Sequence, residues 1–447
     1  MEKRILRTGR ILTMDRERRV VEGGGIVLEG PVIREVLGPG EAARWAGPAT
    51  DLGGRTALPG FIHTHVHLCQ TLFRGLADDL DLLDWLQQRI LPFEAAHSAA
   101  SIRASALVGL AELIRSGATT LMDMGTIRHE EEIVRAVTES GIRAMVGKAL
   151  MDLNDLYPAL KETTSAALSS ARAEAEAWHG SAGGRVGYAV APRFVLSSTE
   201  ELLRGAYEIT RSHPGSLFHT HASENLREVE AVRRRCSMEN IEYLDAIGVL
   251  GDNTCLAHCV HVGEGELDLL AKRRAGVLHC PSANLKLGSG VAPVPRMMQK
   301  GIKVSLGADG APCNNTLNMF TEMRLAALIQ KPLCGPRSMD AWTVLETATR
   351  GGARCLGMEE RIGSIEPGKR ADILFLDLEK VWNPLAPATG AEVASAIVYC
   401  CSSGNVRDVM ADGEWLLRDG ELCTIEEEGV RPRAREELKA LLGRVRT

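Results

Sequence analysis

Leu58-Pro59-Gly60-Phe61-Ile62-His63-Thr64-His65-Val66-His67 is an apolar run that ends in three histidines at alternate positions. Seven more short apolar runs follow, at residues 119–124, 144–150, 186–193, 216–222, 254–260, 276–280 and 303–307. Longer stretches with helical spacing separate them, such as 102–116 and 130–139. Near-continuous apolar strands alternating with helices predict a parallel sheet buried on both faces. Eight such units over about 250 residues fit an α/β fold of the (β/α)8 TIM barrel type. An open doubly wound sheet competes with it, and the strand count favours the barrel.

The flanks read differently. Residues 10–14, 25–28 and 32–36 are short strands set off by glycines and by the Gly30-Pro31 and Gly38-Pro39 pairs. Residues 371–376, 406–410 and 414–417 behave alike, with an Asp412-Gly413 turn before the last. A short antiparallel module at each end predicts one small β-sandwich built from both termini. The expected organisation is residues 1–56 as its first part, 57–364 as the barrel, and 365–447 as its second part. A charged terminal helix is expected from about Arg431.

Composition narrows the function classes. Of 447 residues, 45% are hydrophobic and 25% charged, which is ordinary for a globular chain and argues against disorder. A formal net charge of -6 leaves no basic footprint for nucleic acid. No apolar run approaches the roughly 20 residues that cross a membrane, and Met1–Arg7 lacks the apolar core of a signal peptide. Eleven cysteines without framework spacing, several inside apolar runs, predict reduced, buried thiols in a cytoplasmic protein.

The polar residues collect at strand ends, where a barrel keeps its chemistry. Eight of twelve histidines fall in four groups there: His63, His65 and His67; His219 and His221; His258 and His261; and His279. The last run leads into Asp309. Side chains at i and i+2 of a strand share a face about 7 Å apart, so His65 and His67 can converge on one ion. Such a pair can also be two hydrogen-bonded core histidines. That use loses ground once His221 and Asp309 arrive from other strand ends. His65, His67, His221 and Asp309 form three nitrogens and one oxygen, a set suited to one divalent metal ion, zinc or iron.

His63 and His219 share the parity one layer deeper and read as core or supporting residues. His279 reads as structural, and His97, His129, His179 and His213 as surface residues. Glu224 follows His221 by three positions. A carboxyl beside the ion can take a proton from water and give it to a substrate nitrogen. Its other use is to serve a helix N-terminus. His258 ends the next strand and would polarise the water or the departing group; its other use is as a satisfied core histidine. A divalent ion lowers the pKa of bound water from 15.7 to about 7. Hydrolytic displacement at an electron-poor carbon is therefore expected. No glycine-rich phosphate loop, nucleophile elbow or CxxC site competes with it.

These motifs resemble the amidohydrolase superfamily in its mononuclear deaminase branch, over nearly the whole chain. Pro59 to His67 resembles the first-strand motif and His219-Thr220-His221-Ala222-Ser223-Glu224-Asn225 the fifth. Ala257-His258-Cys259-Val260-His261 is similar to the sixth, and Ser305-Leu306-Gly307-Ala308-Asp309-Gly310 to the eighth. The resemblance implies metal ligands at His65, His67, His221 and Asp309, and proton transfer by Glu224, His258 and Asp309. Two-metal members carry a lysine on the fourth strand; residues 186–193 have none, which favours one metal.

Within the superfamily the likeness is to deaminases of S-adenosylhomocysteine, methylthioadenosine and 5′-deoxyadenosine. Gln70-Thr71-Leu72-Phe73-Arg74-Gly75, Asp84-Trp85-Leu86, Leu91-Pro92-Phe93-Glu94, His279 to Leu287 and Asn314 to Phe320 carry it. It implies nucleoside contacts from Trp85 and Glu94, the glutamate holding ribose hydroxyls. Many members have a histidine where this chain has Arg193 after Pro192; that arginine, with Gln70, resembles guanine deaminases instead. The expected activity is hydrolytic deamination of an adenine-type nucleoside. Guanine deamination and s-triazine hydrolysis are rivals on the same site, a two-metal cyclic-amide hydrolase is a third, and a non-catalytic binding barrel is the rival from another class. The expected partner is a small-molecule substrate, and a homo-oligomer is what the resemblance implies for assembly.

Overall fold

A computed structural model of the chain describes residues 2–155, 157–379 and 389–445. Eight parallel strands stand side by side in chain order: β1 (Phe61–Val66), β2 (Ala118–Asp123), β3 (Arg143–Val146), β4 (Val186–Pro192), β5 (Leu217–Ala222), β6 (Thr254–His258), β7 (Gly276–His279) and β8 (Lys303–Leu306). A doubly wound sheet would reverse this order at a switch point, and it never reverses. Beyond β8 the sheet returns to β1. The Asp309 amide donates to the His65 carbonyl at 2.9 Å, and the Thr64 hydroxyl donates to the Leu306 carbonyl at 3.0 Å. The fold is the expected TIM barrel. Every residue of β2 and β4 is buried, which is why their sequences run apolar without alternation.

The first apolar run divides in two. Thr56–Pro59 is a separate strand, antiparallel to Ile373–Leu376, and the barrel strand begins only at Phe61. Gly60 still donates its amide to the Asp372 carbonyl at 3.0 Å, so the chain leaves the flanking sheet and enters the barrel there.

The termini form two sheets. One holds Lys3–Arg7, Gly25–Glu29, Val32–Leu37 and Ala49–Asp51; the other joins Arg10–Leu12, Val20–Glu22 and Thr56–Pro59 to Ile373–Leu376, Val406–Ala411, Glu414–Arg418 and Glu421–Leu422. Leu6, Ile26 and Leu28 of the first share one apolar cluster with Ile11, Ile373 and Phe375 of the second. The sheets therefore pack across a common core, as the β patterns at the two ends predict. The strand Lys3–Arg7 is an addition to that expectation, its buried Ile5 and Leu6 being masked by charged neighbours. The helix Gly390–Cys400 is another, and the terminal helix starts earlier than expected, spanning Glu427–Arg444. Six cysteines, Cys69, Cys255, Cys259, Cys280, Cys313 and Cys355, are buried free thiols. No helix among the described residues is long and apolar enough to cross a membrane.

Candidate active site

Three strand ends, those of β1, β5 and β8, bring His65, His67, His221 and Asp309 together at the C-terminal face of the barrel. One ligand atom from each lies within 4.8 Å of the others. The Nε2 atoms of His65 and His67 stand 3.4 and 3.3 Å from Asp309 Oδ1, and His67 Nε2 is 3.3 Å from His221 Nε2. Burial pushes the three imidazoles below the ordinary range, so each offers a neutral lone pair. His221 Nδ1 lies 2.6 Å from the Arg193 carbonyl; its proton belongs there, which turns the Nε2 lone pair inward. His219, one layer deeper, meets His65 Nδ1 at 2.8 Å through its own Nε2 and so supports a ligand. His65 Nε2 is buried without a hydrogen-bond partner. Three neutral imidazoles and a carboxylate, short of hydrogen bonds and largely buried, fit one divalent ion. The close approach of β8 depends on Gly307, where a Cβ would lie 2.8 Å from His65 Cβ.

Glu224 and His258 flank this group. His258 Nε2 is 3.5 Å from Glu224 Oε2 and 3.8 Å from Asp309 Oδ2. Burial pushes the Glu224 carboxyl well above its usual range, with Asp309 and Glu228 adding to the effect. The His258 ring is pinned on its far side, Nδ1 lying 2.8 Å from Asn284 Oδ1. His258 and Asp309 both have left-handed backbones, φ +74° and +60°. Non-glycine residues rarely adopt that conformation, and where they do the surroundings impose it.

The wall facing the group carries the remaining sequence-predicted residues. Trp85 and Arg193 line the pocket with His67, His221, Glu224 and Asp309. Glu94 and Gln70 are buried beside Arg193, and Glu94 accepts from both of the others. Arg193 Nη1 donates to both Glu94 oxygens at 3.1 and 2.9 Å, and Gln70 Nε2 donates to Glu94 Oε1 at 2.7 Å. Their spacing in the chain gives no hint of that bonding.

Other residues of the site escape the sequence reading. Asn284 has no assigned part in it, although its pairing with His258 is the closest contact that ring makes. Glu228 accepts from the Glu224 amide at 2.7 Å and from Asn240, holding the turn that presents Glu224. The pattern Asn225-x-x-Glu228 is a capping box and could have signalled this. His97, read as a surface residue, is half-buried with Nδ1 at 2.9 Å from Ser101 Oγ and Nε2 at 2.8 Å from the Cys69 carbonyl. His63 and His279 are buried, and neither ring nitrogen of either has a hydrogen-bond partner.

The amidohydrolase family model matches residues 56–416. The chain is 40% identical over 414 residues to the 5′-deoxyadenosine deaminase of Methanothermobacter thermautotrophicus, covering 92% of this chain and 93% of that one. It is 38% identical over 428 residues to a 5-methylthioadenosine/S-adenosylhomocysteine deaminase of Nitratidesulfovibrio vulgaris, covering 93% and 92%. Among solved structures, an adenosine deaminase from Xanthomonas campestris with bound zinc matches with a TM-score of 0.89 at 27% identity, covering 98% of each chain.

Proposed function

The chain belongs to the amidohydrolase family, and on that premise we propose that it is a metal-dependent aminohydrolase of adenine-type nucleosides, in the class of 5′-deoxyadenosine, methylthioadenosine and S-adenosylhomocysteine. Ammonia leaves and an inosine-type product remains. The observation that carries this reading is the buried Glu224 carboxyl, 3.5 Å from His258 and beside a ligand set for one ion. We assign His65, His67, His221 and Asp309 to that ion, with zinc first and iron second; the zinc-bound relative supports the order.

The ion, when bound, acidifies a water and offsets the negative charge that develops in the reaction. Glu224 delivers a proton to ring N1, which makes C6 electrophilic, and recovers one from the attacking water. Its raised proton affinity favours the protonated form it needs before the first of those steps and regains in the second. His258, fixed by Asn284, and Asp309 orient the water toward C6. Glu224 passes its recovered proton to the amino group, which leaves as ammonia, and regains the proton of the C6 hydroxyl as C6 becomes a carbonyl. Trp85 supplies an apolar face for the ring, and Glu94 accepts from the sugar hydroxyls.

Guanine deamination is the second reading, because Gln70 and Arg193 stand together near the pocket. Both spend donors on Glu94, which leaves them less free to read a purine carbonyl. A panel of 5′-deoxyadenosine, methylthioadenosine, S-adenosylhomocysteine, adenosine, guanine and an s-triazine, scored for ammonia, separates the readings. Release from the adenine nucleosides, lost on chelation and restored by one metal equivalent, is the expected outcome. Release from guanine or the triazine alone would overturn the assignment.

A further inference from the structure

The helix Glu427–Arg444 lies beyond residue 416, where the match to the family model ends, yet it reaches the substrate wall. Its start is tied to the helix Ala99–Arg115: the Glu427 carboxylate accepts from Arg115 Nε at 2.7 Å and from Arg115 Nη2. Its other end meets the helix Leu91–Ala95, which carries Glu94. Arg444 Nε donates to the carbonyl of Ala96 at 2.7 Å, and Ala96 is the residue that caps that helix. Leu441 is fully buried, in one apolar cluster with Trp85, Leu91 and Phe93. Leu438 and Val445 pack against the same cluster. Leu91–Ala95 has five residues, and a π turn precedes it. An isolated helix needs roughly 12–15 residues to persist, so this one takes its place from what it packs against. Arg193 and Gln70 hold the Glu94 side chain. The backbone beneath it is held by the end of the terminal helix, where Arg444 satisfies a carbonyl that a helix end leaves without an internal partner.

We propose that the terminal helix is a positioning element of the substrate site: Leu441 and Arg444 fix the helix Leu91–Ala95, and through it they place the Glu94 carboxylate for the sugar hydroxyls. The proposal rests on the adenine-nucleoside reading above. A carboxylate reads a hydroxyl well only when it is held to within about 0.5 Å, so freeing the helix beneath Glu94 weakens that contact. The metal group, Glu224 and His258 stand at or just past the ends of β1, β5, β6 and β8 and are held by their own strands. The loss is therefore confined to substrates that carry the hydroxyls.

The test compares adenosine with 2′,3′-dideoxyadenosine, which differ only in those hydroxyls, by kcat/KM of the metal-loaded full chain. The unaltered protein is expected to favour adenosine at least about tenfold, the usual scale for an unmatched buried polar group. Leu441→Ala is expected to lower that ratio about fivefold and Arg444→Ala about threefold, with metal content unchanged and 2′,3′-dideoxyadenosine within about twofold of its original value. Arg444→Lys, which keeps the charge and a donor, is expected to stay closer to the unaltered ratio. Equal falls on both nucleosides would make the helix a general support of the fold and overturn the proposal. An unchanged ratio in one alanine variant removes that residue from the role, and in both it overturns the proposal. If Leu441→Ala does not fold, Arg444→Ala decides, since that side chain is exposed. The readings beneath fail differently, in the unaltered protein itself. Equal use of the two nucleosides removes Glu94 from sugar recognition, and ammonia from neither removes the activity.

Discussion

Glu224 is a carboxyl taken out of water and set against another acid, so its proton is hard to remove. Glutamine keeps its shape and loses the exchangeable proton. Glu224→Gln is expected to hold its metal and lose at least about a hundredfold in turnover, the ordinary worth of a positioned acid–base group. Near-normal turnover at full metal content would remove Glu224 from the mechanism. Asn284 acts through another residue: its Oδ1 faces His258, and its Nδ2 has no partner. Only the acceptor is in use. Asn284→Leu should therefore cut kcat by about tenfold or more with little change in KM, while Asn284→Asp, which keeps the acceptor, stays closer to the unaltered protein. Equal losses in both variants would show that Asn284 merely fills space. The four residues of the candidate metal group were legible because they fall at or just past the ends of apolar runs, and His65 and His67 announce a shared face by their spacing. Asn284 was not, because nothing in residues 280–287 says which side chain turns inward until that helix packs against Ala311–Asn314 and Met319–Ile329.

Short elements between the strands hold the site's walls. Leu82–Trp85, Leu86–Ile90 and Leu91–Ala95 follow one another directly, the middle one a π turn, with Trp85 at the end of the first and Glu94 in the third. Sequence periodicity does not reveal a π turn, which is one reason the wall was legible as motifs and not as a surface. On the opposite side Glu322, in the helix Met319–Ile329, accepts from the Ser282 amide at 3.2 Å, the Ser282 hydroxyl and Asn314 Nδ2 at 2.9 Å. It clamps the helix bearing Asn284 to the turn after Asp309. Burial pushes the Glu322 carboxyl up to about 7, against a reference of 4.5. The folded chain thus holds a proton that the unfolded chain releases at lower pH. The stability this contributes is complete below about 4.5 and is lost as pH rises through about 7. Glu322→Gln, which cannot ionise, should show a shallower fall of the thermal midpoint between pH 5 and pH 8, measured at fixed metal. A fall as steep as the unaltered protein's would show that Glu322 does not titrate there.

At the scale of the whole molecule, eight apolar runs and two β-rich flanks were enough to predict a barrel with an attached sandwich. The joint between them was not legible, because it is made by charges far apart in the chain. Arg143 opens β3 at the N-terminal face of the barrel, where side chains serve stability more than chemistry. It is 1% exposed, yet its Nε and Nη2 donate to Asp372 at 2.8 and 3.1 Å, and Nη2 also reaches Asp412. Asp412 belongs to the turn between two strands of the flanking sheet and has a second partner in Arg370 Nε at 2.6 Å. Asp372 keeps the Asp412 amide, at 2.8 Å, as a donor when Arg143 is gone. From sequence, Arg143 lies just outside the apolar run at 144–150 and carries no sign of burial; only the assembled joint shows a buried cation between two carboxylates. Arg143→Met preserves much of the packing and strands one buried charge, which costs about 3–5 kcal/mol when a buried pair is broken. The expected outcome is a denaturation midpoint lowered by that order in urea at neutral pH, with kcat of the folded enzyme unchanged because Arg143 touches no part of the site. Replacing both partners, Arg143→Met with Asp372→Leu, should recover part of the loss, since no unpaired charge then remains. A loss below about 1 kcal/mol in the single variant, the scale of an exposed pair, would mean that water enters the joint and that apolar packing alone holds barrel and sandwich together.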